Sequence, residues 1–270
     1  MNTAADFERV ACEAAHAAGR MIKERFTQET SLSIERKGVH DFVTAVDRDA
    51  EGLVIAHLRE HCPEHTVMAE EGSPEAPDSD YRWIVDPLDG TTNFIHGVPV
   101  FAVSVALEDR QGLLAGAIYD PLREETFHAH RSGGARLNGR PIRCSEPQDT
   151  RESLIATGFP FREFSRVDAY LEAFRAFIGS TAGLRRAGSA SIDLAYTACG
   201  RYDGFWEIGL ARWDIAAGVL LVREAGGTVT DITGGDSCLD TGDIVAAGKR
   251  VHPTMLKVTR SAFRARGDKK

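Results

Sequence analysis

At 270 residues, with 43% hydrophobic and 27% charged side chains, the chain has the composition of an ordinary water-soluble globular protein, long enough for one large domain or two joined subdomains. A formal charge of −8 disfavours a direct grip on nucleic acid or anionic lipid, whose affinity comes mainly from Lys and Arg. The long apolar run at 209–222 is broken by Arg212 and Asp214, so nothing in the chain reads as a membrane span.

Over 6–26, apolar residues recur at helical spacing (Phe7, Val10, Ala11, Ala14, Ala18, Met21, Ile22), which predicts a first long helix. Asp6, Glu8 and Glu13 fall inside that pattern, where an export signal needs a basic start and an unbroken apolar stretch. The 5 cysteines form no Cys-x-x-Cys pair, and reduced thiols together with the missing signal point to the cytoplasm. Residues 31–36 alternate like a strand. Thr44 and Asp47 have the spacing of a capping box that opens a second helix through about His61, and in its first turn Asp47 also meets the favourable end of the helix dipole. His57, His61 and His65 share that helix and its exit but have neither a Cys partner nor a His-Glu-x-x-His pattern, and are expected on the surface.

A short strand at 66–69 ends at Glu70-Glu71-Gly72, and a loop rich in Pro, Asp and Ser leads to an apolar strand at 83–85. Asp86-Pro87-Leu88-Asp89-Gly90-Thr91 follows. Taken alone it reads as a common turn, with Pro87 reversing the backbone and Asp89 returning to the side of Asp86. Gly90-Thr91 leaves backbone N–H groups at the start of a short helix, where an anion is favoured. Runs at 101–107, 113–119 and 125–130 predict an antiparallel meander, and Gly133-Gly134 and Asn138-Gly139 continue the hairpin chemistry. The rest alternates: strands at 153–157, 183–186, 204–206, 228–230 and 244–247, and helices at 167–177, 189–200, 213–225 and 253–263. This predicts a layered α/β (α+β) protein, a single domain with a soft boundary near 145–152 between an N-terminal half expected to carry a metal site and a C-terminal half expected to carry the substrate side.

Carboxylates stand at strand ends or helix starts at Asp41, Asp47, Glu70, Glu71, Asp86, Asp89 and Asp214. If Glu70, Asp86, Asp89 and Asp214 converge, each pair about 4 Å apart repels by about 4 kcal/mol at an effective dielectric near 20, so they must be protonated, paired or bound to metal. With no His or Cys at metal spacing, all-oxygen ligation points to Mg²⁺, or less often to Mn²⁺ or Ca²⁺. Two or three such ions would neutralise four carboxylates and a phosphate monoester together, which makes metal-assisted phosphate hydrolysis the natural reaction.

Asp41-Phe-Val-Thr-Ala-Val-Asp47, Glu70-Glu71-Gly72, Asp86-Pro-Leu-Asp-Gly-Thr91 and Trp213-Asp-Ile-Ala-Ala-Gly218 together resemble the inositol monophosphatase family of lithium-sensitive, Mg²⁺-dependent phosphatases. The similarity runs over about 5–260 and is greatest to the bacterial inositol-1-monophosphatase (SuhB-like) branch. It implies a layered αβαβα sandwich and a homodimer, for which the apolar edge of the meander is a candidate surface. It implies that Glu70, Asp86, the Leu88 carbonyl, Asp89 and Asp214 hold two or three Mg²⁺ ions, and that Thr91, assisted by Asp47, orients the attacking water. Gly90 and Thr91 would receive the phosphate, with Asp89 and Asp214 beside it. Glu207 would bind ring hydroxyls, and Ser189 and Ala190 would line the sugar pocket, although Ser189 is also a natural helix N-cap. Lys37 lies near the family's basic residue but one position closer to Asp41, and is given no role. Trp83 and Trp213 are read as core.

The resemblance implies myo-inositol monophosphate as substrate, with histidinol phosphate, fructose-1,6-bisphosphate and 3′-phosphoadenosine 5′-phosphate as the alternatives of sister enzymes. Bacterial members are also linked to transcription complexes, a role that the acidic balance would route through protein partners.

Overall fold

Helix α1 (Ala4–Thr27) starts at a reciprocal cap between Thr3 and Asp6 and buries an Ala-rich face that includes Val10, Ala14, Ala18 and Ile22. The computed structural model describes residues 3–28, 34–38, 41–72, 79–161 and 164–264, with 34–38 and 41–43 as backbone only. Lys37 and Asp41 fall in the backbone-only stretches, and 31–33 of the expected first strand and 73–78 of the expected loop lie outside the described residues.

Strands β1 (Ile34–Gly38) and β2 (Asp41–Thr44) pair as a hairpin, and helix α2 (Ala45–His61) follows directly. Next come β3 (Thr66–Ala69), β4 (Arg82–Asp89), the short helix α3 (Thr91–Ile95), β5 (Ala102–Asp109), β6 (Gly112–Asp120), β7 (Glu125–His130), β8 (Gly134–Leu137) and β9 (Arg140–Pro141). Strands β3 to β9 form a seven-stranded sheet in sequence order, antiparallel except for the β3–β4 pair. The expected meander is its centre.

The second half runs β10 (Leu154–Thr157), α4 (Val167–Ser180), β11 (Gly183–Arg185), α5 (Ala190–Ala198), β12 (Gly204–Glu207), α6 (Arg212–Glu224), β13 (Thr228–Thr230), α7 (Cys238–Thr241), β14 (Ile244–Ala247) and α8 (His252–Arg264). Its five strands take the order β11-β10-β12-β14-β13, with β14 antiparallel to both neighbours. α1 and α2 cover one face of the larger sheet, α5 and α6 lie between the two sheets, and α4 and α8 cover the far face of the smaller one. The order of layers is therefore αβαβα. Close approach in the middle layer needs small residues: a Cβ on Gly218 of α6 would lie 2.5 Å from Leu194 of α5. No described helix is long and apolar enough to cross a membrane.

Three expectations are corrected. Pro87 does not end its strand, because β4 continues to Asp89 through an irregularity in which Asp86 faces Ser104 but Asp89 faces Ala102. One extra residue is absorbed there, a setting that tolerates a proline without an N–H. The histidines are not surface groups: His57, His61 and His65 are all partly buried, and His65 stacks 4.7 Å from the Tyr81 ring. The outer edge of the meander, β9, is an exposed Arg140-Pro141 pair rather than an apolar strip, the usual protection of an edge strand.

Candidate active site

The parallel pair β3–β4 ends at one place, so Glu70, directly after β3, lies beside the last residues of β4. The Glu70 N–H donates to the Val85 carbonyl at 3.2 Å, and the Glu71 N–H donates to Glu51 of α2 at 2.8 Å, which fixes this turn against the helix. The Asp86 carboxylate accepts the Leu88 N–H at 3.0 Å across the β4 irregularity. Gly90 then takes φ +101°, and a Cβ there would meet the Val100 carbonyl oxygen at 2.9 Å, so the turn into α3 requires glycine.

The capping box expected at Thr44 and Asp47 is present: Asp47 Oδ2 accepts both the Thr44 N–H at 2.8 Å and the Thr44 hydroxyl at 2.5 Å. Its other oxygen is 2.8 Å from the Thr91 hydroxyl, which lies 3.1 Å from the Leu88 carbonyl. Asp47 is buried and does not line the cleft; it reaches the site through Thr91.

The second half closes the site from above. Asp89 Oδ2 accepts the Ser189 hydroxyl at 2.7 Å, the Ser191 N–H at 2.7 Å and the Ser191 hydroxyl at 2.5 Å. Ser189 also caps α5 through the Ile192 N–H, so its structural and site contacts coexist. Asn93 of α3 donates to Val100 at 2.7 Å and to Ala187 at 2.9 Å, joining the two halves beside the cleft. Asp214, in the first turn of α6, accepts the Ala211 N–H at 2.7 Å.

Between these elements lies a cleft of about 330 Å³ whose walls include Glu70, Asp86, Leu88, Asp89, Gly90, Thr91, Ser189, Ala190, Glu207 and Asp214. Every site residue inferred from sequence except Asp47 is in that wall. Glu71 and Trp213 are not, and Trp83 is fully buried in the core. Burial pushes the Asp86 carboxyl well above the usual carboxylate range, and the negative charges of Glu70, Asp89 and Asp214 push it further. Burial also raises Asp89, against the hydrogen bonds from Ser191 and Ser189. The strongest influences on Asp86 are thus all unfavourable to its charge. An all-oxygen donor set under mutual repulsion fits a hard divalent cation.

Sequence reasoning missed part of the wall. Asp193, one turn after Ser189 in α5, is 1% exposed, and its Oδ1 has no hydrogen-bond partner among the described residues. Burial raises its carboxyl well above the ordinary value, as do Glu207 and Asp89, against Arg186. Phe159 and Phe161 form the rim, with the Arg186 guanidinium over both rings at 5.3 and 5.4 Å. Nothing in a single sequence distinguishes these residues from core or surface.

A layered αβαβα sandwich with an acid-walled cleft between its two halves fits the metal-dependent type of phosphatase. The chain is a member of the inositol monophosphatase family, whose profile matches residues 4–263. It is 48% identical over 252 residues to the Nus factor SuhB of Pseudomonas aeruginosa, covering 92% of this chain and 93% of that protein. It is 43% identical over 258 residues to the inositol-1-monophosphatase of Mesorhizobium japonicum, covering 95% and 97%. The crystal structure of the extragenic suppressor protein suhB from Bartonella henselae superposes with a TM-score of 0.90 at 41% identity, covering 93% of this chain and 97% of that one.

Proposed function

We propose that the protein is a Mg²⁺-dependent phosphomonoesterase that hydrolyses myo-inositol monophosphate to inositol and phosphate. The observation that carries this reading is the meeting of Glu70, Asp86, Asp89 and Asp214, from two strand ends and a helix start, in one cleft. Glu70, Asp86, the Leu88 carbonyl, Asp89 and Asp214 would hold two or three Mg²⁺ ions. Bound there, the ions would neutralise the carboxylates and the phosphoryl group and lower the pKa of an attacking water.

The chain's own groups position the reactants. The Thr91 hydroxyl, with its hydrogen directed to Asp47, turns a lone pair toward the water and orients it, and Asp47 is itself held by Thr44. Gly90 and Thr91 N–H groups receive the phosphate. The water oxygen bonds to phosphorus, the bond from phosphorus to the inositol oxygen breaks, and the alcohol leaves with a proton from solvent. Glu207, Ser189 and Ala190 line the part of the cleft that would receive the ring, and Asp193 adds a buried hydrogen-bonding group.

The sister substrates histidinol phosphate, fructose-1,6-bisphosphate and 3′-phosphoadenosine 5′-phosphate differ at the rim rather than at the metal ligands. A side-by-side measurement of kcat/KM for the four, with Mg²⁺ and with added Li⁺, tests the assignment. The expected outcome is the highest value for inositol monophosphate, with Li⁺ inhibition; no phosphate release from any of them overturns it.

The resemblance to Nus factors favours a second reading: an additional cytoplasmic role in transcription through protein contacts. The charge of −8 supports protein rather than nucleic acid as the partner. A variant inactive through Asp89→Asn should still retain transcription proteins in a pull-down; failure of both wild type and variant to do so dismisses this role.

A further inference from the structure

Helices α1 and α2 pack side by side, and at their contact Glu13, His57 and His61 come together away from the acidic cleft. One carboxylate oxygen and one nitrogen of each ring all lie within 4.8 Å of one another. His57 and His61 are one helical turn apart, which corrects the expectation that no His stands at metal spacing: i and i+4 on a helix can offer two imidazoles to a single ion. Their rings are stacked, with centroids 4.3 Å apart.

Each ring is prepared for ligation in a different way. His61 Nδ1 is 2.9 Å from the His57 carbonyl oxygen, an acceptor, so Nδ1 carries the hydrogen and Nε2 keeps its lone pair. A hydrogen bond of this kind orients metal-bound histidines generally. His57 Nε2 is buried and 3.5 Å from Glu13 Oε2, too far for a good hydrogen bond, and has no other partner among the described residues. Two ligands held by one tetrahedral ion at about 2.0–2.1 Å are themselves about 3.4 Å apart, close to the 3.5 Å already present between His57 Nε2 and Glu13 Oε2. Burial and the neighbouring His61 lower the proton affinity of His57, against Glu13 and Glu60, which favours the neutral ring that binds metal. Arg9 Nη1 donates to both Glu13 oxygens, at 2.9 Å to Oε1 and 3.0 Å to Oε2, but both side chains are solvent-accessible, and an ion of higher charge density would displace the guanidinium.

We propose that Glu13, His57 and His61 form a second metal site, separate from the acidic cleft, that takes a transition-metal ion with nitrogen preference, Zn²⁺ first. Two imidazoles and one carboxylate leave a fourth position to water, and the ion clamps α1 to α2. Mg²⁺, which demands oxygen ligands, does not compete there. The proposal is independent of the substrate assigned to the cleft.

The test is a Zn²⁺ titration of the full chain, stripped with chelator and then saturated with Mg²⁺, followed by calorimetry. Co²⁺ absorption serves as a second probe of tetrahedral nitrogen ligation. Wild type should bind one equivalent of Zn²⁺, and His61→Ala and Glu13→Gln should each weaken that binding by about tenfold or more while leaving Mg²⁺-dependent turnover unchanged. Asp89→Asn should keep the equivalent. Identical Zn²⁺ curves for wild type, His61→Ala and Glu13→Gln, or loss of the equivalent in Asp89→Asn, would overturn the site. Should His61→Ala unfold, His61→Gln with a far-ultraviolet spectrum matching wild type provides the same comparison.

Discussion

A carboxyl with almost no solvent exposure and an unpartnered oxygen is costly to keep, and Asp193 is such a group in the wall of the cleft. Together with Glu207 it would give the proposed ring-binding end of the cleft two hydrogen-bonding carboxyl groups, suited to a polyol ring. Replacing Asp193 by Asn should raise KM for inositol monophosphate by about ten- to a hundredfold, the equivalent of about 1–3 kcal/mol for one buried hydrogen bond. Turnover at saturation should stay close to wild type, and glycerol phosphate, which lacks the ring, should be affected less. An equal KM in steady-state kinetics would remove Asp193 from substrate selection. Asp89→Asn should instead reduce kcat/KM by about a hundredfold or more, since even outer contacts of a metal site are worth 10–100-fold. The positions of Glu70, Asp86, Asp89 and Asp214 at strand ends, a turn and a helix start were legible in the sequence, whereas their meeting in one cleft rested on the family resemblance. Asp193 was not, because it lies in an otherwise apolar helix and only the packing of α5 shows which of its faces meets the cleft.

At the level of elements, the turn from β4 into α3 depends on a backbone conformation. Gly90→Ala must place a Cβ at φ +101° and 2.9 Å from the Val100 carbonyl, so it should destabilise the protein by about 1–2 kcal/mol or more in urea unfolding, with activity falling as well. An unchanged midpoint would show that the turn relaxes freely. Further along, Asp231 organises the segment before α7. Burial raises its carboxyl, but hydrogen bonds from Ser237, Thr233 and the Gly235 N–H outweigh this and leave it well below its ordinary value. A depressed carboxyl contributes stability that is fully present above the unfolded pKa of about 3.9 and is lost as pH falls through the folded value. Asp231→Asn should therefore lower stability at neutral pH and make it less dependent on pH in the acid range, as measured by thermal unfolding across that range; parallel acid limbs would contradict this. The helices and most strand positions were legible from period and caps, as at Thr44 and Asp47. The continuation of β4 through Pro87 was hidden, since whether a proline ends a strand or occupies an irregularity depends on the register of β5. The pairing of β14 between β12 and β13 was hidden too, because strand–helix alternation does not specify strand order.

For the whole molecule, the alternation of layers was legible but the seam between the sheets was not, and the seam is where the cleft lies. The surface also bears on assembly. The expected meander edge is capped by Arg140 and Pro141, whereas Phe164, Leu171 and Ile178 are 65%, 53% and 61% exposed on and just before α4. Exposed apolar side chains along one element are a candidate surface for a contact between copies of the chain, which the family resemblance leads us to propose. If the chain pairs through this surface, wild type should sediment as a dimer and Leu171→Asp combined with Ile178→Asp as a monomer in sedimentation equilibrium; a dimer of unchanged mass in the double variant would place the contact elsewhere. The account as a whole depends on divalent ions gathered by carboxylates from both halves of the chain. Anomalous diffraction from crystals grown with Mn²⁺ tests that most directly: it should give peaks in the cleft bounded by Glu70, Asp86, Asp89 and Asp214, lost or weakened in Asp214→Asn crystals, and a cleft without any peak under saturating Mn²⁺ would contradict it.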